Sequence, residues 1–130
     1  MTAPKPVSRP LSPFMLGKYY RLQMTSVSSI TTRITGNALI ASAVLAVWWL
    51  LAAAISDSAF ALADLVATSW FGDLVFTLSL WAIWYHYLAG LRHLYYDALH
   101  GMEIRTAELL GWLCFGGATV LTVATILLVR

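Results

Sequence analysis

The stretch NALIASAVLAVWWLLAAAIS, residues 37–56, runs for twenty residues without a charged side chain. A helix drawn through it is apolar nearly all round, so it offers water no polar face. A hydrocarbon core about 30 Å thick takes about 20 such residues, each rising about 1.5 Å. The segment therefore reads as a membrane span.

Two more segments of the same kind follow. Residues 72–91, GDLVFTLSLWAIWYHYLAGL, continue as a helix towards residue 99, and residues 107–129 form the third run. The runs are too long, and lack the period-two alternation, for a β-barrel. Composition agrees: 60% of the chain is hydrophobic and only 11% charged, against about a quarter charged in a soluble domain. A net charge of +2 is too small to suggest nucleic acid. The single cysteine, Cys114, allows no intrachain disulfide.

The predicted fold class is an all-α membrane protein with three transmembrane helices, part of a multi-subunit helix bundle. It forms one anchor domain, 1–130, divided into an arm at 1–24, an entry helix and first span at about 25–56, a second span at about 70–99 and a third at about 106–129. The arm begins MTAPKPVSRPLSPF, whose four prolines forbid a continuous helix and which lacks the apolar core of a signal peptide. Residues 24–35, polar and β-branched, lead into the first span. Residues 58–68, SAFALADLVAT, read equally as a short interfacial helix or as an irregular loop.

Charge sets the orientation. Lys5, Arg9, Lys18, Arg21 and Arg33 precede the first span with no acidic residue among them. The first loop carries Asp57, Asp64 and Asp73 and no base, while Arg92 and Arg105 mark the second loop. The positive-inside rule puts the N-terminus and the second loop on the cytoplasmic or matrix side.

Ionisable groups then gather where hydrocarbon should exclude them. His86, His93 and His100 recur every seven residues, close to two helical turns with a drift of about 20°, so they share a face. His86 and His93 are about 10 Å apart along the axis, too far to grip one metal ion. A mid-membrane imidazole faces protein or a cofactor. For His86 that means an interhelical hydrogen bond or axial ligation of haem, which Ala82, Ala89 and Gly90 would let approach. For Arg92, His93 and Asp97 the plain reading is a polar cluster at a helix end. Ser29 and Arg33 lie one turn apart on the first helix. Arg33 is either a boundary anchor or, with Ser29, a grip for a quinone carbonyl or a carboxylate.

RPLSP at 9–13, SITTRITG at 29–36 and HYLAGLRHLYYD at 86–97 together resemble the cytochrome b subunit of succinate dehydrogenase. That family's patterns are RP-x-SP, S-x-x-HR-x-[ST]-G and H-x-x-x-G-x-RH-x-x-x-D. The resemblance implies that His86 is an axial ligand of haem b. A histidine from a second hydrophobic anchor subunit would supply the other ligand. Ser29 and Arg33 match the family's quinone-site residues, and Arg92, His93 and Asp97 match the surroundings of the haem propionates or quinone. Thr32 departs from the pattern, standing where the family has histidine, and so does Phe14 after SP.

The function this implies is a haem-binding anchor that helps form the ubiquinone-reduction site and passes electrons on from an iron–sulfur subunit. A flavoprotein subunit would carry the dicarboxylate chemistry, and this chain would have no catalytic residue of its own. Its partners would be those subunits, membrane lipid and no nucleic acid. The absence of a long cleavable presequence favours a bacterial inner membrane over a mitochondrial one. The alternatives are a non-redox structural subunit, the anchor of a fumarate reductase, or a small transporter or proton relay, which three spans without an internal repeat disfavour.

Overall fold

The computed structural model describes residues 20–129. The RPLSP motif, Lys5, Arg9, Lys18, Arg130 and most of the expected N-terminal arm lie outside the described residues. Four helices follow in order: α1 (Met24–Ile55), α2 (Asp57–Ala67), α3 (Trp70–Asp97) and α4 (Ile104–Val129). There is no strand among the described residues. Three of the helices, α1, α3 and α4, are long and apolar enough to cross a membrane. The all-α, three-span fold read from the sequence is the observed one.

α1 absorbs the polar lead without a break. Thr31 and Thr32 return their hydroxyl protons to their own helix, to the carbonyls of Val27 and Ser28, each at 2.9 Å. A hydroxyl satisfied in this way can sit at the membrane boundary without needing water.

The segment left open between helix and loop is helical. Ser56 caps α2, accepting a hydrogen bond from the Ala59 N–H at 3.2 Å, and Asp57 stands in the first turn. Both features suit a helix N-terminus. α3 starts the same way, with Ser69 accepting from the Gly72 N–H at 3.2 Å and Asp73 in its first turn. At its far end, the His100 N–H bonds the Tyr95 carbonyl and the Leu99 N–H that of Tyr96, with Leu99 at φ 60°. This is the left-handed closure that stops a helix and turns the chain towards α4.

α3 is the central element, packed against both α4 and α1, which also touch each other. Between α3 and α4, small residues allow close approach: Ala89, Cys114 and Ala118 surround the fully buried Tyr85. The Tyr85 ring lies 4.7 Å from Phe115 and stacks on Trp81 at 5.1 Å. Two indole N–H groups cross the same interface, Trp81 to Thr119 and Trp84 to Thr125, both at 3.1 Å. The outer surfaces are hydrocarbon: Ile40, Val44, Val47, Leu50 and Leu51 of α1 are all exposed. Such a surface belongs in lipid or against another membrane chain.

Candidate functional site

The α1–α3 interface is lined by hydroxyls, an imidazole and a guanidinium, where the α3–α4 interface is mainly aromatic and small apolar side chains joined by two indole–threonine bonds. Antiparallel helices bring Ser28, Thr35 and Ser42 of α1 opposite α3 at three levels. Ser42 and Ser79 share a hydrogen bond of 2.7 Å. Thr35 Oγ1 lies 3.3 Å from Nδ1 of His86. Ser28, fully buried, meets both Tyr85 and Arg92.

Within the cluster Ser28 and Tyr85 are fully bonded. Tyr85 donates to the Ser28 carbonyl at 3.1 Å, and the Ser28 hydroxyl pairs with the Tyr85 oxygen at 2.8 Å. Arg92 Nη1 donates to Ser28 Oγ. Arg92 is only 7% exposed, and its guanidinium carbon lies 5.8 Å from the centre of the Tyr96 ring, within cation–π range. Among the described residues its Nε has no hydrogen-bond partner.

Beside this cluster lies a recess of about 350 Å³ whose wall includes Thr25, Ser29, Arg92, His93 and Tyr96. Three of the residues singled out in the sequence, Ser29, Arg92 and His93, are thus brought to one cavity. Arg33 and Asp97 are not part of its wall; both are exposed, Arg33 further along α1 and Asp97 at the end of α3. Thr32 is half-buried, its hydroxyl bonded within its own helix.

His86 sits seven residues along α3 from His93, half-buried against α1. A Cβ built on Gly36 would fall 3.1 Å from its Cε1, so the imidazole lies flush on a bare patch of backbone. The small residues around it divide differently from the sequence reading. Ala82 and Ala89 are buried within the chain, and Ala89 is spent on packing with Tyr85 and α4. Gly90 alone opens outward, with nothing within 4 Å of a built Cβ. Among the described residues no group of three His, Cys, Asp or Glu side chains could hold a bare metal ion.

Sequence reasoning missed Ser28, Tyr85 and the Thr35 contact. The signal was present: Ser28, Thr35 and Ser42 repeat every seven residues, as do Ser79, His86 and His93. Two seven-residue polar stripes on neighbouring helices mark the faces that meet.

The chain also has recognisable relatives. Residues 5–125 match the family model described as succinate dehydrogenase/fumarate reductase transmembrane subunit. It is 51% identical over 120 residues to the succinate dehydrogenase cytochrome b556 subunit of Paracoccus denitrificans, covering 92% of this chain and 91% of that one. It is 33% identical over 122 residues to the same-named subunit of Rickettsia conorii, covering 88% of each. With the succinate dehydrogenase cytochrome b560 subunit of Reclinomonas americana it shares 34% over 121 residues, covering 89% and 83%. With three apolar spans, two polar stripes and this kinship over nearly its whole length, the chain belongs to the succinate dehydrogenase/fumarate reductase transmembrane subunit family.

Proposed function

We propose that this chain is a haem b-binding anchor of succinate dehydrogenase and supplies one wall of its ubiquinone-reduction site. The observation that carries the reading is the recess holding Ser29, Arg92 and His93 two helical turns along α3 from His86. A flavoprotein, an iron–sulfur subunit and a second anchor complete the complex, which resides in a bacterial inner membrane. The recess end faces the cytoplasm, on the side of Arg21, Arg33 and Arg105, where a peripheral iron–sulfur subunit would deliver electrons.

Each residue then has a task its chemistry allows. The Ser29 hydroxyl donates a hydrogen bond to a quinone carbonyl, and Arg33 at the membrane boundary adds positive field. Arg92 brings a fixed charge to the wall. Negative charge gathering on a carbonyl oxygen in a nearly dry site is stabilised by such fixed donors. His93, exposed at the recess, can exchange protons with the aqueous side. His86 suits haem: a half-buried imidazole with one nitrogen against Thr35, beside the open Gly90. Haem b, when bound, supplies a one-electron store beside the quinone site.

The test is two activities on one purified, assembled complex carrying Ser29→Ala or Arg33→Leu. Losing one such donor lowers rate on the order of 100-fold, so succinate–quinone activity should fall steeply. Succinate oxidation by a soluble dye and haem content should stay near wild type, because the flavin site and His86 are untouched. Quinone activity near wild type in both variants would make these residues boundary anchors only.

A further inference from the structure

Thr35 is 5% exposed, and its hydroxyl has three neighbours: the Thr31 carbonyl at 2.9 Å, the Thr32 carbonyl at 3.0 Å and His86 Nδ1 at 3.3 Å. A hydroxyl has one proton to give and two lone pairs to receive with. Both carbonyls can only accept, and both lie closer than Nδ1, which favours the Thr35 proton on the helix backbone, shared between the two oxygens. Towards His86, Thr35 is then an acceptor and Nδ1 is the N–H donor. A neutral imidazole has a single N–H, which leaves Nε2 with a bare lone pair.

Gly36 makes the contact possible. A Cβ there would sit 3.1 Å from His86 Cε1 and 3.7 Å from Nδ1. The ring would have to retreat by a few tenths of an ångström, lengthening a hydrogen bond that already spans 3.3 Å.

We infer that Thr35 and Gly36 are positioning residues: they hold His86 in the tautomer with Nδ1 protonated, so that Nε2 is the iron-ligating atom and Thr35 tunes its basicity. The inference rests on the ligation reading above and adds which nitrogen binds and what sets its strength. An imidazole whose far N–H donates to an oxygen is oriented and made a more basic ligand. More electron density on Nε2 favours ferric over ferrous iron and lowers the haem potential.

The experiment uses purified complex with Thr35→Val, Thr35→Ser, Gly36→Ala or His86→Leu. Haem per complex is measured by pyridine haemochrome and the midpoint potential by redox titration. Loss of an outer-shell partner typically weakens a metal site 10- to 100-fold. Thr35→Val keeps the shape and removes the acceptor. It should retain haem while ferric affinity drops about tenfold relative to ferrous, raising the potential by about 59 mV for one electron. Thr35→Ser should match wild type. Gly36→Ala should shift the potential in the same direction as Thr35→Val. Should Thr35→Val not assemble, Thr35→Ala carries the same expectation. An unchanged potential on loss of the hydroxyl, or an equal shift in Thr35→Ser, overturns the inference. Full haem content in His86→Leu overturns the ligation reading itself, whatever the Thr35 variants do.

Discussion

Arg92 is the residue whose surroundings most change its interpretation. In the sequence it is one half of an arginine–histidine pair near the end of a span, where a side chain can snorkel to water. In the structure the guanidinium turns inward, gripping Ser28 beneath Tyr85 and lying over Tyr96. A cation held this way ties α1 to α3 as firmly as it lines the recess. Tyr85→Phe tests how much of the tie rests on Arg92, because it removes both Tyr85–Ser28 hydrogen bonds and leaves the Arg92 bond and the ring packing in place. It should destabilise the purified complex by about 1 kcal/mol, read from thermal unfolding, with haem content unchanged; stability equal to wild type would mean that Arg92 alone holds Ser28. His86 and His93 were legible in the sequence because an ionisable side chain stands out against hydrocarbon. The division of labour between Ser28 and Ser29 was not legible. Consecutive helical residues point about 100° apart, and only the neighbouring helix decides which serine is sealed and which lines the cavity.

Among the elements, α2 shows where pattern alone runs out. Its Ser-Asp-Ser start is a visible cap signal, yet an isolated helix of its 11 residues is marginal in water. Its packing against α1, where the Phe60 ring lies 5.5 Å from Trp49, decides in favour of the helix. The turn from α2 into α3 depends on Gly72. A Cβ at that position would meet the Ala67 carbonyl oxygen at 2.2 Å and the Val66 oxygen at 2.5 Å. Backbone cannot step aside as a side chain can, so Gly72→Ala must displace one helix against the other. A loss of about 1–3 kcal/mol is expected, measured as a lower temperature of thermal inactivation of the whole complex. An unaltered inactivation temperature would show that the turn relaxes without strain. The long helices were the easiest elements to read, since runs of about 20 apolar residues have few other uses.

At the scale of the molecule, three spans enclose very little interior. Seven hydrophobic residues make up the buried core among those described, most of them small. The membrane-facing exterior was legible from composition, but which faces pair was not. Helices apolar all round carry no amphipathic stripe to orient them, so polar side chains were the only guide. The same all-round apolarity suits a chain that lies against lipid on some faces and another membrane chain on others. The proposed orientation has a direct check. Cys114 is 4% exposed and gives little background, so Ser58→Cys and Glu103→Cys, both at exposed positions, can be labelled separately. A membrane-impermeant maleimide should modify Ser58→Cys in intact cells and Glu103→Cys only after the membrane is opened. The opposite pattern would reverse the topology and move the recess to the wrong side for its electron donor.

The matched polar levels between α1 and α3 also make chain length a counted quantity. Fourteen residues separate Ser28 from Ser42, and seven separate Ser79 from His86. Adding or deleting one residue within either interval turns everything beyond it by about 100°. The interhelical hydrogen bonds would then be lost, and an imidazole would turn into hydrocarbon, where an unsatisfied polar group costs several kcal/mol. The α1–α2 junction and the bend between α3 and α4 carry no such count. Length variation in functional descendants of this chain should therefore gather at those two bends and spare both paired intervals.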